Sequence, residues 1–254
     1  MNLIKISLLL GFVTLISACG GGGGGSSTTS DSGSSSGGST TSNMDATGRE
    51  IVAAFMSGAT SQATGLSSTA GSATTRGAAR SNDLAVGNGV DITPTISGGT
   101  VTGAIITYTD TRTSGTFSGY MSLNGRVVVN GDTSGNGDAQ SEGLTRSYVS
   151  FTNADSSRWT IDGVANENMS GTLSGGFLIG DIISTLGSDG LAITDNDNGG
   201  EVYLFDDMSI DVILQGNATA QSVSCSTRSF ITMHKASGGS TMTCFLNSDC
   251  TGCL

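Results

Sequence analysis

The chain has 254 residues and a formal net charge of −11, and only 12% of its residues are charged. An acidic surface of this kind repels phosphate groups, so nucleic acid and anionic lipid headgroups are excluded as binding partners. Aromatic residues make up 5% of the chain, and Trp159 is its single tryptophan. Sugar-binding platforms and large apolar pockets depend on aromatic faces, so the sequence supplies little material for either.

The N-terminal segment has the three parts of an export signal. Lys5 supplies the positive end, residues 6–16 are mostly apolar, and the small residues Ser17 and Ala18 precede Cys19. The apolar run is shorter than the roughly 17–25 residues that cross a membrane as a helix. We therefore predict a signal peptide over residues 1–18.

The end of this segment, Ile16-Ser17-Ala18-Cys19, resembles the signal of bacterial lipoproteins, in which an aliphatic and two small residues precede a cysteine. The resemblance covers residues 1–19 and implies cleavage after Ala18, with acyl chains such as palmitate on Cys19. Two or more chains anchor a protein stably, whereas one chain binds only marginally. A residue other than Asp after the cysteine, here Gly20, implies the outer membrane. An ordinary secretory signal with a chance cysteine is the alternative.

Residues 19–43 are predicted to be the lipidated cysteine followed by a tether. From Gly20 to Asn43 the chain is almost entirely Gly, Ser and Thr, with Asp31 as the single charge. Such a composition cannot build a core, so we expect a flexible spacer. Because Lys5 leaves with the signal, the mature chain carries 9 Lys and Arg against 21 Asp and Glu, a net charge of −12.

Residues 44–89 are predicted to hold one short helix and a poorly ordered connector. The helix is expected over Met44–Ser57, with Asp45 as its cap and a narrow apolar stripe made of Ile51, Val52, Phe55 and Met56. From Gly58 to Gly89 the periodicity is lost and small residues dominate. Such a composition is typical of a connector.

Residues 90–254 are predicted to form one antiparallel β domain. Short β-like runs alternate with Gly, Asn, Asp and Ser, and the clearest alternation lies in Met208–Leu214. Asn124-Gly125 is the strongest hairpin signal. The connectors are too short for parallel crossovers. We expect an all-β small barrel or strongly coiled sheet, because glycines recur inside strands, with a β-sandwich as the alternative.

The overall layout is similar to that of some acylated bacterial surface receptors. These proteins also place a small antiparallel barrel after a glycine-rich tether. No internal motif is matched residue by residue, so the resemblance assigns no binding residue to this chain.

Four cysteines lie within the last thirty residues of the chain, and they are Cys225, Cys244, Cys250 and Cys253. An exported protein meets an oxidising compartment, so we predict two disulfides. Spacing alone leaves three pairings open. A hairpin at Gly238-Gly239 favours a bond from Cys225 to Cys250 or Cys253. A zinc site of four thiolates is the alternative, since Cys250 and Cys253 have zinc-knuckle spacing.

A polar segment from Asp195 to Glu201 presents several oxygen ligands. Asp195, Asp197 and Glu201 could supply part of the shell of a structural calcium ion, which needs six to eight oxygens. The complete EF-hand pattern is missing. The alternative is an ordinary polar hairpin turn.

Catalytic motifs have little support in this sequence. His234 is the single histidine, and no nucleophile motif or metalloprotease motif surrounds it. The acids Glu142, Asp162 and Glu167 could form a hydrolytic pair if folding brought two of them together.

These observations favour a non-enzymatic, lipid-anchored protein of the outer membrane with a role in binding, adhesion or envelope structure. The expected partners are the membrane, through Cys19, and a protein or glycan ligand. No cofactor is required, apart from the possible calcium ion. The alternatives are an exported hydrolase that uses paired carboxylates and a calcium-stabilised adhesin.

Overall fold

The computed structural model describes residues 42–77, 85–86, 89–152, 157–217 and 220–254. The predicted signal peptide, Cys19 and nearly all of the tether therefore lie outside the described residues. Within them the chain forms one α-helix and eleven β-strands. The elements are α1 (Ala46–Gly77), β1 (Ala85–Val86), β2 (Val90–Ser97), β3 (Thr100–Ser114), β4 (Tyr120–Gly131), β5 (Gly137–Thr152), β6 (Trp159–Ser174), β7 (Phe177–Asp195), β8 (Glu201–Asn217), β9 (Ala220–Cys225), β10 (Phe230–Lys235) and β11 (Met242–Phe245).

The strands form one antiparallel sheet in which neighbours along the chain are almost always neighbours in the sheet. The order runs from β1 to β8 without interruption and continues through β10 to β11, and β9 pairs with the second half of β8. The predicted all-β antiparallel class is thus confirmed. No ladder joins the β1–β2 end to the β11 end among the described strands, so the sheet is open. The prediction of a barrel fails in this respect.

The β11 edge of the sheet is covered by the end of the tether. The backbone of Asn43 donates to the carbonyl of Thr243, and the Thr243 amide donates to the Asn43 side chain. The Phe245 amide donates to the hydroxyl of Ser42 at 3.1 Å. A free edge offers unpaired backbone groups to other chains, and these contacts occupy them. The tether therefore joins the domain along β11.

Helix α1 is longer than the sequence predicted. Asp45 caps it as expected, since its Oδ1 accepts the Gly48 amide at 2.7 Å. The predicted end at Ser57 is wrong, because the helix continues to Gly77 through the segment assigned to a connector. Small side chains there, such as Ala63, Ala70 and Ala73, are buried. Tertiary contact rather than helix propensity sustains this part of the helix, which explains why its sequence shows so little periodicity.

The core lies between α1 and one face of the sheet. Phe55 packs at the centre, with ring centroids 5.5 Å from Phe205 and 6.4 Å from Tyr148. The helix contacts strands from β2 at one end of the sheet to β11 at the other. One helix is only about 10 Å wide, whereas ten strands side by side span more than about 40 Å. Helix α1 has 32 residues and is about 48 Å long, so it can follow the sheet across this width.

The C-terminal half of α1 approaches the sheet backbone very closely at one point. A Cβ atom placed on Gly71 would lie 1.7 Å from the carbonyl oxygen of Gly176, in the β6–β7 turn. Nearby, the Ser67 hydroxyl accepts the Leu178 amide and the side-chain amide of Gln221. Glycine is therefore required at position 71 for the helix to dock here.

A band of β-bulges crosses the sheet. Each strand from β3 to β8 changes register near the same level, and β5 shifts a second time between Gln140 and Leu144. A bulge adds local twist and bending. The shifts fall between Tyr108 and Thr111, Asn124 and Arg126, Tyr148 and Phe151, Gly163 and Ala165, Thr185 and Ala192, and at Asp206, opposite Thr232 and Met233. Gly125, Gly163 and Gly190 lie in this band with positive φ, as expected for glycines that allow a strand to bend. The hairpin predicted at Asn124-Gly125 is wrong, because β4 continues through both residues and Gly125 forms a bulge there.

Candidate functional site

The bulges of β6, β7 and β8 enclose a cleft of about 470 Å³, which we name the bulge cleft. It opens on the sheet face opposite α1. Its lining residues come from four strands, and they are Asp162, Gly163, Asp189, Gly190, Leu191, Ala192, Leu204, Phe205, Asp206 and His234. Three carboxylates and an imidazole thus surround a partly apolar floor.

Two glycines shape the cleft. Gly163 has a φ of 117° and Gly190 a φ of 67°, both in the region that favours glycine. A Cβ atom on Gly163 would lie 2.1 Å from the Gly190 carbonyl oxygen, so the two bulged backbones touch. The extra residues of β7 beside this contact carry Asp189 outward. Bulges commonly reorient side chains in this way near functional sites.

The register of the sheet brings side chains from distant parts of the chain into one row. Asp162 pairs with Ala192, Ala192 with Leu204, and Leu204 with His234. Directly paired residues point to the same side of a sheet. Their neighbours Ile161, Ile193, Tyr203 and Met233 are buried against α1. The row therefore lies on the outer face.

The polar groups of the cleft are only partly engaged within the domain. His234 Nδ1 lies 2.7 Å from Asp206 Oδ1, and both side chains are about one-third exposed. Asp162 Oδ1 accepts the Ser150 amide at 2.7 Å, and Asp189 accepts the Ser188 hydroxyl at 3.5 Å. None of the lining residues is Lys or Arg. The carboxylates of the cleft therefore keep accepting capacity and negative charge.

The His234–Asp206 pair resembles half of a catalytic arrangement. A histidine oriented by a carboxylate through one ring nitrogen can act as a base through the other. In the part of the chain that the structure describes, no hydroxyl or thiol nucleophile is hydrogen-bonded to this imidazole.

Exposed apolar side chains border the cleft. Leu204 lies in its floor and is 36% exposed, while Val149 and Phe117 are 42% and 59% exposed. The Ser118 hydroxyl donates to the Ser150 carbonyl, and the Ser150 amide donates to Asp162. These two bonds hold the β3–β4 loop, which carries Phe117, against Ser150 at the β5 bulge. Acidic and apolar surface are thus adjacent.

A second concavity lies at the ends of the β7–β8 and β10–β11 turns. It has a volume of about 540 Å³ and is lined by Asn198, Gly199, Gly200, Glu201, Val202, Ala236 and Ser237. Glu201 already accepts the Ser237 hydroxyl at 2.8 Å and lies 3.4 Å from the Lys235 ammonium. Because its carboxylate is satisfied in this way, this concavity offers less to a ligand than the bulge cleft.

The predicted calcium residues form the β7–β8 turn. Asp195 is fully buried and makes a bidentate pair with Arg158, at 2.9 and 2.8 Å, which lowers the pKa of the Asp195 carboxyl. Its Oδ1 also accepts the Asp197 amide, and its backbone carbonyl accepts the Gly200 amide. No group of three His, Cys, Asp or Glu side chains in the described ranges could hold a metal ion. Calcium binding stays a prediction.

The acids considered for hydrolysis each have a separate partner. Glu142 pairs with Arg126 on the outer face, and Asp162 lines the bulge cleft. Glu167 makes a bidentate pair with Arg146, at 2.6 and 2.8 Å, beneath the sheet where both side chains are about 5% exposed. Burial and the guanidinium nearby also act on Tyr148, whose pKa is well above its usual range because desolvation dominates.

The four C-terminal cysteines lie in two pairs at disulfide distance. Cys225 faces Cys250 and Cys244 faces Cys253, each with a Cα–Cα distance of 5.2 Å. The pairing from Cys225 to Cys250 is one of the two that the hairpin argument favoured. The zinc alternative requires all four sulfurs at one point, which is not the arrangement seen.

Sequence reasoning did not find the bulge cleft. His234 looked like a surface residue, and Asp162 entered only as one of three candidate acids. Asp189 and Asp206 carried no signal of their own. The available signal was the set of in-strand glycines, since Gly163 and Gly190 mark the bulges that form the cleft. Their alignment depends on register, which the sequence pattern did not fix.

Comparison of the chain with protein-family models, with curated proteins and with solved structures gives no match. The described part of the chain contains no helix that is both long and apolar enough to span a membrane.

Proposed function

We propose that this chain is a bacterial lipoprotein, acylated on Cys19 and held at the outer membrane, whose β domain binds a macromolecular ligand. In this proposal the domain is a strongly coiled open sheet rather than a sandwich, with α1 along its concave side. The bulge cleft on the opposite side receives the ligand. No cofactor takes part.

One observation carries the proposal. The bulge cleft joins carboxylates without a Lys or Arg partner in its lining to exposed apolar side chains on the outer face. The tether reaches the domain along the outer edge of β11, which pairs with β10, the strand that carries His234. A domain held through that edge can therefore present the cleft to a partner. Two cysteine pairs at disulfide distance also suit an exported, oxidising location.

Site-specific crosslinking on intact cells tests ligand binding by the cleft. A photo-reactive phenylalanine replaces Leu204 in the full chain, and a matched variant carries it at Gln140, which is exposed on β5 far from the cleft. We expect a discrete crosslinked partner from position 204 and none from position 140. Equal products at both positions, or none at either, would contradict the proposal.

Metabolic labelling tests the anchor separately. Radioactive palmitate should label the wild-type protein, and Cys19→Ala should abolish the label and release the protein from the membrane fraction. Unchanged labelling of the Cys19→Ala variant would show that the cysteine is not acylated.

The His234–Asp206 pair gives the exported hydrolase a specific test. Purified full chain is screened against peptide, ester and glycoside substrates, beside His234→Ala. Turnover that His234→Ala abolishes would replace the binding proposal with a hydrolase. Under the proposal we expect no turnover that depends on this residue. For the calcium-stabilised adhesin, a melting temperature that is the same with calcium and with chelator would exclude the ion.

A further inference from the structure

We infer that the partner docks on the bulge cleft through a basic protein segment in which arginine or lysine lies next to apolar side chains. This inference rests on the proposed binding function and adds the chemistry of the partner. The docking surface, which we name the acidic–apolar face, consists of Phe117, Val149, Asp162, Asp189, Leu204 and Asp206.

The shape of the face follows from the sheet. Val149 lies at the β5 bulge beside Asp162, and Ala192 and Leu204 follow on the next two strands. Three strand spacings separate Val149 from Leu204, which is about 14 Å. An extended peptide segment of four or five residues covers that distance. The face thus places apolar and acidic side chains together over the length of a short segment.

Charge complementarity selects the occupant. Asp162, Asp189 and Asp206 have no Lys or Arg neighbour in the lining of the cleft, and the chain as a whole carries a net charge of −11. Arg112 on β3 is itself paired with Asp110 at 2.7 Å, so it does not neutralise the face. A cationic side chain would gain charge-assisted hydrogen bonds from these carboxylates. An anionic membrane or a nucleic acid would be repelled.

The exposed apolar residues further restrict the class of partner that can bind this face. Leu204, Val149 and Phe117 are among the few large hydrophobic side chains that the described structure exposes. A small hydrated cation gains nothing from them, whereas apolar side chains of a peptide would bury them. Phe117 is the one aromatic among the exposed large hydrophobic side chains of the described residues, so the face lacks a stacked platform for sugars. The combination fits a basic and apolar protein segment.

Three synthetic peptides test the inference on the full chain in nonionic detergent. The first is Arg-Leu-Ser repeated four times, the second replaces arginine with glutamate, and the third replaces leucine with serine. Binding is followed by fluorescence anisotropy. We expect the first peptide to bind most tightly, because it alone satisfies both parts of the face.

Substitutions in the chain test whether the peptide binds at the acidic–apolar face. The double variant Asp162→Asn/Asp206→Asn should weaken binding of the first peptide roughly fivefold to tenfold, since it removes two exposed charge pairs with the arginines. The control Asp91→Asn/Asp138→Asn removes the same charge from exposed positions outside the face, and we expect less than about a twofold change. Leu204→Asn should also weaken binding, and circular dichroism should be unchanged in all variants.

The outcomes separate the inference from the proposed function. Equal losses in the two double variants, or no preference for arginine over glutamate, would overturn the inference. If the glutamate peptide binds and Leu204→Asn weakens it, the cleft binds a ligand of another chemistry and only the inference fails. Self-association that Leu204→Asn abolishes, measured by sedimentation, would make a second copy the occupant and would also overturn it. If none of the three peptides binds and position 204 gives no crosslinked partner, both the inference and the proposed binding function are contradicted.

Discussion

The two faces of the sheet use the same kinds of residue for different purposes, and strand β5 shows the contrast most directly. Its Arg146 points toward α1 and pairs with Glu167, where both side chains are about 5% exposed. Its Glu142 points outward and pairs with Arg126, where both side chains are about half exposed. The inner pair is thus matched within the fold, whereas the cleft carboxylates of the outer face have no Lys or Arg in the cleft lining, and Asp206 contacts His234.

This difference teaches where function can lie in the domain. A buried charge must be paired, because removing it from water is costly. The inner polar groups therefore maintain the docking of α1 and are unavailable to a ligand. Outer charges bear no such constraint, so unpaired carboxylates can persist beside apolar surface. The predictions below test the contrast, beginning with the largest expected effect.

Removing one partner of the buried pair should separate the two faces most strongly. Arg146→Met leaves Glu167 charged and uncompensated, and we expect the free energy of unfolding to fall by about 3–5 kcal/mol. Arg126→Met on the outer face should cost less than about 1 kcal/mol. Denaturant unfolding of both variants measures the difference. Similar losses in the two variants would mean that the inner pair is not desolvated in solution.

The C-terminal disulfides are predicted to contribute the next largest effect. Cys225→Ser/Cys250→Ser opens a loop with a sequence separation of 25. Loop-closure entropy then predicts a loss of about 3.5 kcal/mol, and about 2.5 kcal/mol for the shorter loop from Cys244 to Cys253, whose sequence separation is 9. Cys225, Cys244 and Cys250 are buried at the β9–β11 end, where α1 makes few contacts. Unchanged melting after reduction would show that packing alone holds this edge.

The inner face could be predicted from the sequence only in part. The clean alternation of Met208–Leu214 correctly places Met208, Ile210, Val212 and Leu214 toward the core. The length of α1 could not be predicted, because its second half has small side chains and gains its stability from contact with the sheet. The closeness of Gly71 to Gly176 joins two positions more than a hundred residues apart, and no local pattern reports it.

The outer face was harder to predict for a physical reason. Asp162, Asp189 and Asp206 lie on three strands, and their proximity depends on one register shift in each. A shift of one residue would turn each side chain to the other face. For Asp195 the sequence pattern indicated a site that the structure does not show. Its segment reads as a calcium loop, yet the carboxylate pairs with Arg158, which lies far away in the sequence.

Two glycines of α1 test how tightly the inner face is packed. Gly71→Ala should lower the free energy of unfolding by about 1–3 kcal/mol, because its Cβ would overlap the Gly176 backbone. Gly65→Ala is the matched control, since a Cβ there meets no atom within 4 Å. The control should stabilise the helix by up to about 1 kcal/mol. Calorimetry of the two variants gives the comparison, and stabilisation by both would mean that α1 is not docked at Gly176.

Asp211 is a carboxylate on the outer face that is nevertheless partly buried, so it does not follow the contrast between the two faces. It lies at the junction of β8 with β9 and β10, and its buried Oδ1 has no hydrogen-bond partner among the described residues. Desolvation, followed by repulsion from Asp181 and offset in part by Ser226, raises the pKa of this carboxyl. The folded state therefore binds the proton more tightly than the unfolded chain does.

The sign of the pH effect follows from that difference. Below the pKa that Asp211 has in the unfolded chain, near pH 4, this group does not destabilise the fold. As the pH rises through its higher pKa in the folded state, the free energy of unfolding falls. Asp211→Asn should thus raise the free energy of unfolding at pH 7 by up to about 1 kcal/mol, because solvent still screens the group, and the gain should vanish near pH 3. Asp138→Asn, an exposed control, should show neither effect. If Asp211→Asn raises the free energy of unfolding equally at all pH values, the amide stabilises the fold through a new hydrogen bond and not through removal of the charge. That result would contradict the claim that the charge of Asp211 is uncompensated.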